Sequence, residues 1–181
     1  MGGFLSKPTK QQIACQAPKP ILLNTGGVNK PYDWDPSSIP LSIFKIGKLF
    51  ILNVPSELTT MSGRRLRQAV TKVAADNGVA DAVVTIAGLA NSYTHYVATF
   101  EEYGGQRYEA ASTLYGPHTL SAYIQEFERI ASDLLAGVPS SSDKAPKDLS
   151  HQQKTLLPPV VLDTVPFGKK VSLFCCKNRF Q

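Results

Sequence analysis

The 181-residue sequence has little of several things, and each shortage closes off a class of protein. It has three cysteines, Cys15, Cys175 and Cys176. The number is odd, two are adjacent, and no Cys-x-x-Cys or Cys/His spacing exists, so neither a disulfide framework nor a cysteine zinc site is written here. Adjacent cysteines bridge each other only with strain. Histidine is scarce, with three in all. The apolar runs fall far short of the ~20 residues a membrane-spanning helix needs. The opening residues 1–8 lack the apolar core of a secretory signal, so none is read in this chain. The charge balance of +5 is mild, and its basic groups gather only at Arg64, Arg65 and Arg67 and at Lys169, Lys170, Lys177 and Arg179. A nucleic-acid surface needs a denser basic stripe with interleaved aromatics, so these read as a solvated helix face and a tail, and no nucleic-acid partner is expected.

What is present is globular: 43% hydrophobic and 18% charged residues, enough apolar material for one domain with a core. Residues 1–40, broken by Pro8, Pro18, Pro20, Pro31, Pro36 and Pro40, read as an irregular lead-in. Leu41–Ile46 partly alternates, Gly47-Lys48 is a turn signal, and Leu49–Val54 is almost continuously apolar, which predicts a hairpin ended by Pro55. Over 59–77, Leu66, Ala69, Val70, Val73 and Ala74 recur at helical spacing, and Asn77-Gly78 supplies a stop. Ala82–Ala87 predicts another buried strand. A strand, a helix and a strand in that order suggest a βαβ-type unit within a mixed α/β fold. Pro117 suits a first helical turn. From there Leu120, Tyr123, Ile124, Phe127, Ala131, Leu134 and Leu135 make a second amphipathic stripe to about 136. Residues 137–168 read as a linker and an extended segment, and 169–181 as an unrelated-looking tail.

Between the second strand unit and the last helix, residues 89–116 hold five of the seven tyrosines, with His95, Glu101, Glu102, Arg107 and Glu109 among them. The stretch follows a strand end, where α/β proteins place ligand sites, although tyrosine also lines ordinary core edges. On bare chemistry, Glu57 reads either as a metal-binding carboxylate or as an acid favoured at a helix start. His95 is the more obvious ligand. In a regular strand it would face away from Tyr96, so both could not reach one ion.

The segment Val54-Pro55-Ser56-Glu57-Leu58-Thr59-Thr60-Met61-Ser62-Gly63-Arg64-Arg65-Leu66-Arg67 resembles a hallmark of the neutral (non-lysosomal) ceramidases. Tyr93-Thr94-His95-Tyr96, Glu101-Glu102-Tyr103, Gln106-Arg107-Tyr108-Glu109-Ala110 and Ser112-Thr113-Leu114-Tyr115-Gly116-Pro117-His118-Thr119-Leu120 are similar in turn, as is Lys19-Pro20-Ile21-Leu22-Leu23-Asn24-Thr25-Gly26 upstream. The likeness runs in order over roughly 7–168. It implies a partial catalytic domain of a zinc-dependent amidohydrolase that splits ceramide into sphingosine and a fatty acid. It further implies zinc at the bottom of a narrow pocket, with Glu57 and Tyr96 among its ligands and Tyr108 steadying the oxyanion. Bound zinc brings the pKa of water toward ~7.

Two histidine ligands and a serine needed for activity are expected upstream of this chain, as is the disulfide partner of Cys15. The family's C-terminal immunoglobulin-like domain is not seen. The resemblance also implies a secreted or membrane-facing location, reached through a lipid substrate at a membrane surface. Ser56 stands where the family pattern has glycine, and a loss of positive-φ freedom there would disturb Glu57. With half of the metal cage, the chain alone is expected to be inactive. The alternative reading is an inactive truncated form or lipid-binding remnant.

Overall fold

The computed structural model describes residues 6–105, 107–142, 144–149 and 151–152. The expected extended segment at 156–162, the tail at 169–181 and the Cys175-Cys176 pair lie outside the described residues. The chain divides into units 1–149 and 150–181, and every element described belongs to the first.

The anticipated hairpin forms from β1 (Ser42–Ile46) and β2 (Leu49–Val54), antiparallel with Ile46 opposite Leu49. Gly47 takes φ 59 at the turn, a conformation glycine adopts without steric cost. The helix read over 59–77 is α2 (Thr60–Asp76), capped by Thr59, whose hydroxyl accepts from the Ser62 N–H at 3.2 Å. Its buried residues Ser62, Leu66, Val70 and Ala74 fall four apart on one stripe, as an amphipathic helix requires. After it, β4 (Val83–Gly88) pairs parallel to β2, completing the β–α–β unit and a sheet of order β1-β2-β4. The second stripe is α5 (Thr119–Ala136), with His118 as its N-cap and a left-handed Gly137 after its end.

One face of this sheet is covered. Leu52 and Val54 of β2, Leu66 and Val70 of α2, and Leu120, Tyr123, Phe127 and Ala131 of α5 form a single buried cluster, flanked by Ile43, Val84 and Ile86. The other face is open. Side chains alternate across a strand and register partners share a face, so Phe44, Ile46 and Val83 project together on the side away from the helices. They are 59%, 67% and 59% exposed. A contiguous apolar face beside unpaired strand edges promotes self-association. The isolated chain is therefore expected to self-associate, and Phe44→Lys with Ile46→Glu to shift it toward monomer at an unchanged melting midpoint. Sedimentation velocity and thermal melts read both quantities, and a monodisperse parent would sink the expectation.

The lead-in departs from its reading as irregular. It contains α1 (Lys10–Gln16), closed by a capping box in which the Gln12 N–H donates to Thr9 Oγ1 at 3.1 Å and the Thr9 N–H to Gln12 Oε1 at 2.8 Å. Two orphan donors are satisfied locally, which nucleates a short helix between the prolines. α1 is tied to the rest of the unit by Tyr103, whose hydroxyl lies 2.8 Å from the Gln16 carbonyl. The end of α1 also sits against Gly116, at φ 92, where a Cβ would come within 2.5 Å of the Cys15 carbonyl oxygen. Cys15 itself is an exposed free thiol. No helix among the described residues is long and apolar enough to cross a membrane.

Candidate functional site

A second, two-stranded sheet carries the residues singled out above. After Pro55 ends β2, Glu57 and Leu58 form β3; after the loop that follows β4, Tyr96 and Val97 form β5. The two strands run parallel with Glu57 opposite Tyr96 and Leu58 opposite Val97. The Glu57 N–H donates to the His95 carbonyl at 2.9 Å and the Thr59 N–H to the Val97 carbonyl at 3.1 Å. Register pairing sends both side chains to the same face. Glu57 and Tyr96, far apart in sequence, thus become neighbours on one face of the ladder.

Tyr108, the first residue of α4 (Tyr108–Ala111), sets its ring edge-on against Tyr96, with centroids 5.5 Å apart at 78°. Tyr93 donates its hydroxyl to Glu57 Oε1 at 2.6 Å. The cluster is therefore one carboxylate ringed by three phenols. Desolvation, then the neighbouring Glu57 carboxylate, push the Tyr96 phenol up to about 12. The hydrogen bond to Glu57 is the main cause that raises Tyr93. Both phenols are thus protonated at neutral pH.

Tyr93 was not a candidate by sequence. Only its place in the Tyr-Thr-His-Tyr run pointed toward it, since no spacing rule joins it to Glu57. His95 needs a correction. The expectation that it faces away from Tyr96 assumed a regular strand, but its φ is 58, so side-chain alternation does not hold at that residue. Its ring packs on Tyr93 at 5.0 Å. His118 packs against Phe100 at 5.4 Å.

Ser56 also departs from expectation. It is not among the non-glycine residues at positive φ, which are Leu89, Asn91 and His95. It is 0% exposed, and its hydroxyl is hydrogen-bonded to Thr94 and, at 2.9 Å, to the Tyr123 hydroxyl. A serine therefore fits the position without backbone strain.

The donors suit zinc in kind and fall short in number. A carboxylate oxygen is an ordinary zinc ligand, and a phenol oxygen is a hard oxygen donor outside the usual set of Cys, His and carboxylate. A catalytic zinc takes three protein ligands and an open position. Among the described residues, no three His, Cys, Asp or Glu side chains gather closely enough to hold a metal. Glu57 and Tyr96 can thus supply part of a cage that needs donors from elsewhere.

The narrow pocket implied by the resemblance is not walled by these residues either. Tyr93 is 46% and Tyr108 73% exposed. The large cavity, about 1070 Å³, is lined by Ile39, Ser42, Tyr115, His118, Tyr123 and Arg129 among others, and by none of Glu57, Tyr96 and Tyr108.

The chain is 58% identical over 167 residues to neutral ceramidase 3 of Arabidopsis thaliana, covering 91% of this chain and 23% of that protein. It is 48% identical over 166 residues to neutral ceramidase A of Dictyostelium discoideum, covering 92% and 23%. Among solved structures it is similar to a ceramidase complexed with C2, with a TM-score of 0.78 at 40% identity, covering 92% of this chain and 26% of that one. It is similar also to the neutral ceramidase of Pseudomonas aeruginosa, with a TM-score of 0.76 at 40% identity and the same coverage. The chain spans about a quarter of the length of these relatives. The family model for the N-terminal region of neutral/alkaline non-lysosomal ceramidases matches residues 1–125, and the chain belongs to that family.

Proposed function

We propose that this chain carries part of the active site of a zinc-dependent ceramidase, which hydrolyses the amide of ceramide to sphingosine and a free fatty acid. The observation that supports the reading best is the pairing of Glu57 with Tyr96 across β3 and β5, with Tyr108 set against the same tyrosine. Glu57 and Tyr96 would hold the metal together with donors outside the described residues. Lewis acidity is the chemistry that zinc supplies when bound, acidifying water and polarising a carbonyl.

The chain's own residues then have separable tasks. Tyr93 orients the Glu57 carboxylate through its 2.6 Å hydrogen bond. Tyr108 is held by Tyr96 and keeps its hydroxyl accessible, so it can donate toward the negative charge that develops on the amide oxygen. The open flank around Tyr93, Phe100 and Tyr108 would meet the lipid at a membrane surface, in a protein that is secreted or faces the cell exterior.

Tyr108→Phe tests the reading. The ring contact with Tyr96 survives and the exposed position contributes little to stability. Measured as sphingosine release in a chain that holds the complete cage, kcat should fall about 10²- to 10³-fold, the usual loss of one oxyanion donor, with KM nearly unchanged. Wild-type turnover by the phenylalanine variant would remove Tyr108 from the chemistry. Ceramide binding without zinc or turnover in that same chain would instead make the protein a lipid-binding remnant.

A further inference from the structure

Three hydroxyl groups with no role in the chemistry above lie buried directly behind the Glu57–Tyr96 pair. Ser56, Thr94 and Tyr123 are 0%, 1% and 4% exposed. Ser56 immediately precedes Glu57, Thr94 lies two residues before Tyr96, and Tyr123 reaches across from α5. Thr94 Oγ1 donates to the Pro55 carbonyl at 2.9 Å, which also accepts the Thr94 N–H at 2.7 Å. A hydroxyl has one proton to give. With the Thr94 proton committed to Pro55, Ser56 can donate to Thr94 and Tyr123 to Ser56 over 2.9 Å, while the Tyr123 hydroxyl also lies 3.4 Å from Thr94 Oγ1. In that arrangement every proton is used once, and the three hydroxyls join α5 to the entrances of β3 and β5.

Such a network adds little net stability. Buried hydrogen bonds largely replace bonds to water, and a phenylalanine would fill the core at position 123 as well. What hydrogen bonds supply beyond area is direction, because a network with each partner satisfied admits one arrangement. Downstream of the pair a second tie closes the other end. Glu102 Oε2 accepts from the Thr59 hydroxyl at 2.7 Å and from the Thr99 N–H at 2.9 Å. That joins the N-cap of α2 to the N-cap of α3 (Phe100–Tyr103). Burial opposes the charge on Glu102, but these bonds hold its carboxyl below the usual range.

We propose that Ser56, Thr94 and Tyr123 are positioning residues, a hydroxyl clamp that fixes the two-residue ladder of β3 and β5 and so holds Glu57 against Tyr96. The role rests on the reading of that pair as part of the active site; the clamp itself rests on the hydrogen bonds alone. Tyr123→Phe removes the end link and Thr94→Val the two made by Thr94 Oγ1, both preserving shape; Thr94→Ser restores the hydroxyl, and Ser56→Ala removes the central group.

Hydrogen exchange followed by mass spectrometry in the full chain should show residues 54–59 and 94–98 exchanging about tenfold faster in Tyr123→Phe and Thr94→Val, the effect of losing about one hydrogen bond. Exchange in β1, in β2 as far as Asn53 and in the body of α5 should match the parent, and Thr94→Ser should return the local rates to parental values. Where sphingosine release is measurable, kcat should fall with KM unchanged. Unaltered exchange at 54–59 and 94–98 in both variants would overturn the clamp, as would acceleration spread evenly over the whole unit. If local exchange rises as expected in a chain with its full metal complement that never cleaves ceramide, the clamp stands and the ceramidase assignment falls. Should Tyr123→Phe fail to fold, Ser56→Ala decides by the same exchange rates.

Discussion

In a protein that holds the complete proposed cage, Glu57→Gln should lower ceramide hydrolysis by more than about 100-fold, beyond the 10- to 100-fold that loss of an outer-shell partner of a metal site costs. The substitution changes almost nothing else. Glutamine has the same shape, and the strand pairing at this residue uses the backbone N–H to the His95 carbonyl. The Tyr93 hydroxyl, which now donates to Glu57 Oε1, can still find a carbonyl oxygen on the amide. Only the negative charge is gone, and a divalent cation beside neutral phenols needs that charge. Zinc retention against a graded chelator should therefore fall in parallel with turnover, while the unfolding midpoint moves little. Tyr93→Phe provides the scale: it leaves the charge and removes one orienting bond, so its loss should stay within the outer-shell range. A Glu57→Gln chain that kept both its zinc and its activity would dismiss the carboxylate as a ligand.

The largest effect on folding is expected at Phe127. It is 0% exposed, sits in the cluster with Leu66 and Val70 of α2 and Leu52 and Val54 of β2, and stacks on Tyr123 at 6.5 Å with 16° between the rings. Phe127→Ala removes an aromatic ring from the point where both long helices meet the sheet. It leaves a cavity that helices anchored at both ends cannot collapse to fill. The expected cost is about 3–5 kcal/mol, a large part of the ~5–15 kcal/mol that holds a domain folded. Urea titration should show the midpoint falling steeply with little change in slope. By contrast, Phe127→Leu should cost much less, since most of the volume remains. A cost below about 1 kcal/mol for the alanine variant would mean that α5 is not the keystone of the core.

These effects trace how far residue patterns reach. The hairpin, α2, β4 and α5 were legible because each has a period or a stop signal within its own length. The stripe Leu66, Val70 and Ala74 is a local pattern, and so is Leu120, Tyr123, Phe127 and Ala131. α1 was missed because the surrounding prolines dominated the reading of residues 1–20, although Thr9 and Gln12 together spell a capping box. The two-residue strands were beyond reach, since two residues have no period and their pairing is set by tertiary context.

The site divides in the same way. Glu57, Tyr96 and Tyr108 were named through family resemblance; nothing in their spacing says that they meet. Tyr93 was invisible because its link to Glu57 exists only once the loop after β4 turns back, through left-handed residues at Leu89, Asn91 and His95. Tyr123 was read as one more apolar member of a helix stripe. Its ring bears that out, and its hydroxyl carries a second role that hydrophobic periodicity does not register.

The ladder that joins Glu57 to Tyr96 has only two rungs, whereas β2 and β4 are joined along six. Cooperative units open in order of their own strength, the weakest first. As temperature rises, the Glu57–Tyr96 corner should therefore loosen while the helices and main sheet are still intact, and warmth would silence a protein that depends on that pair before it melts.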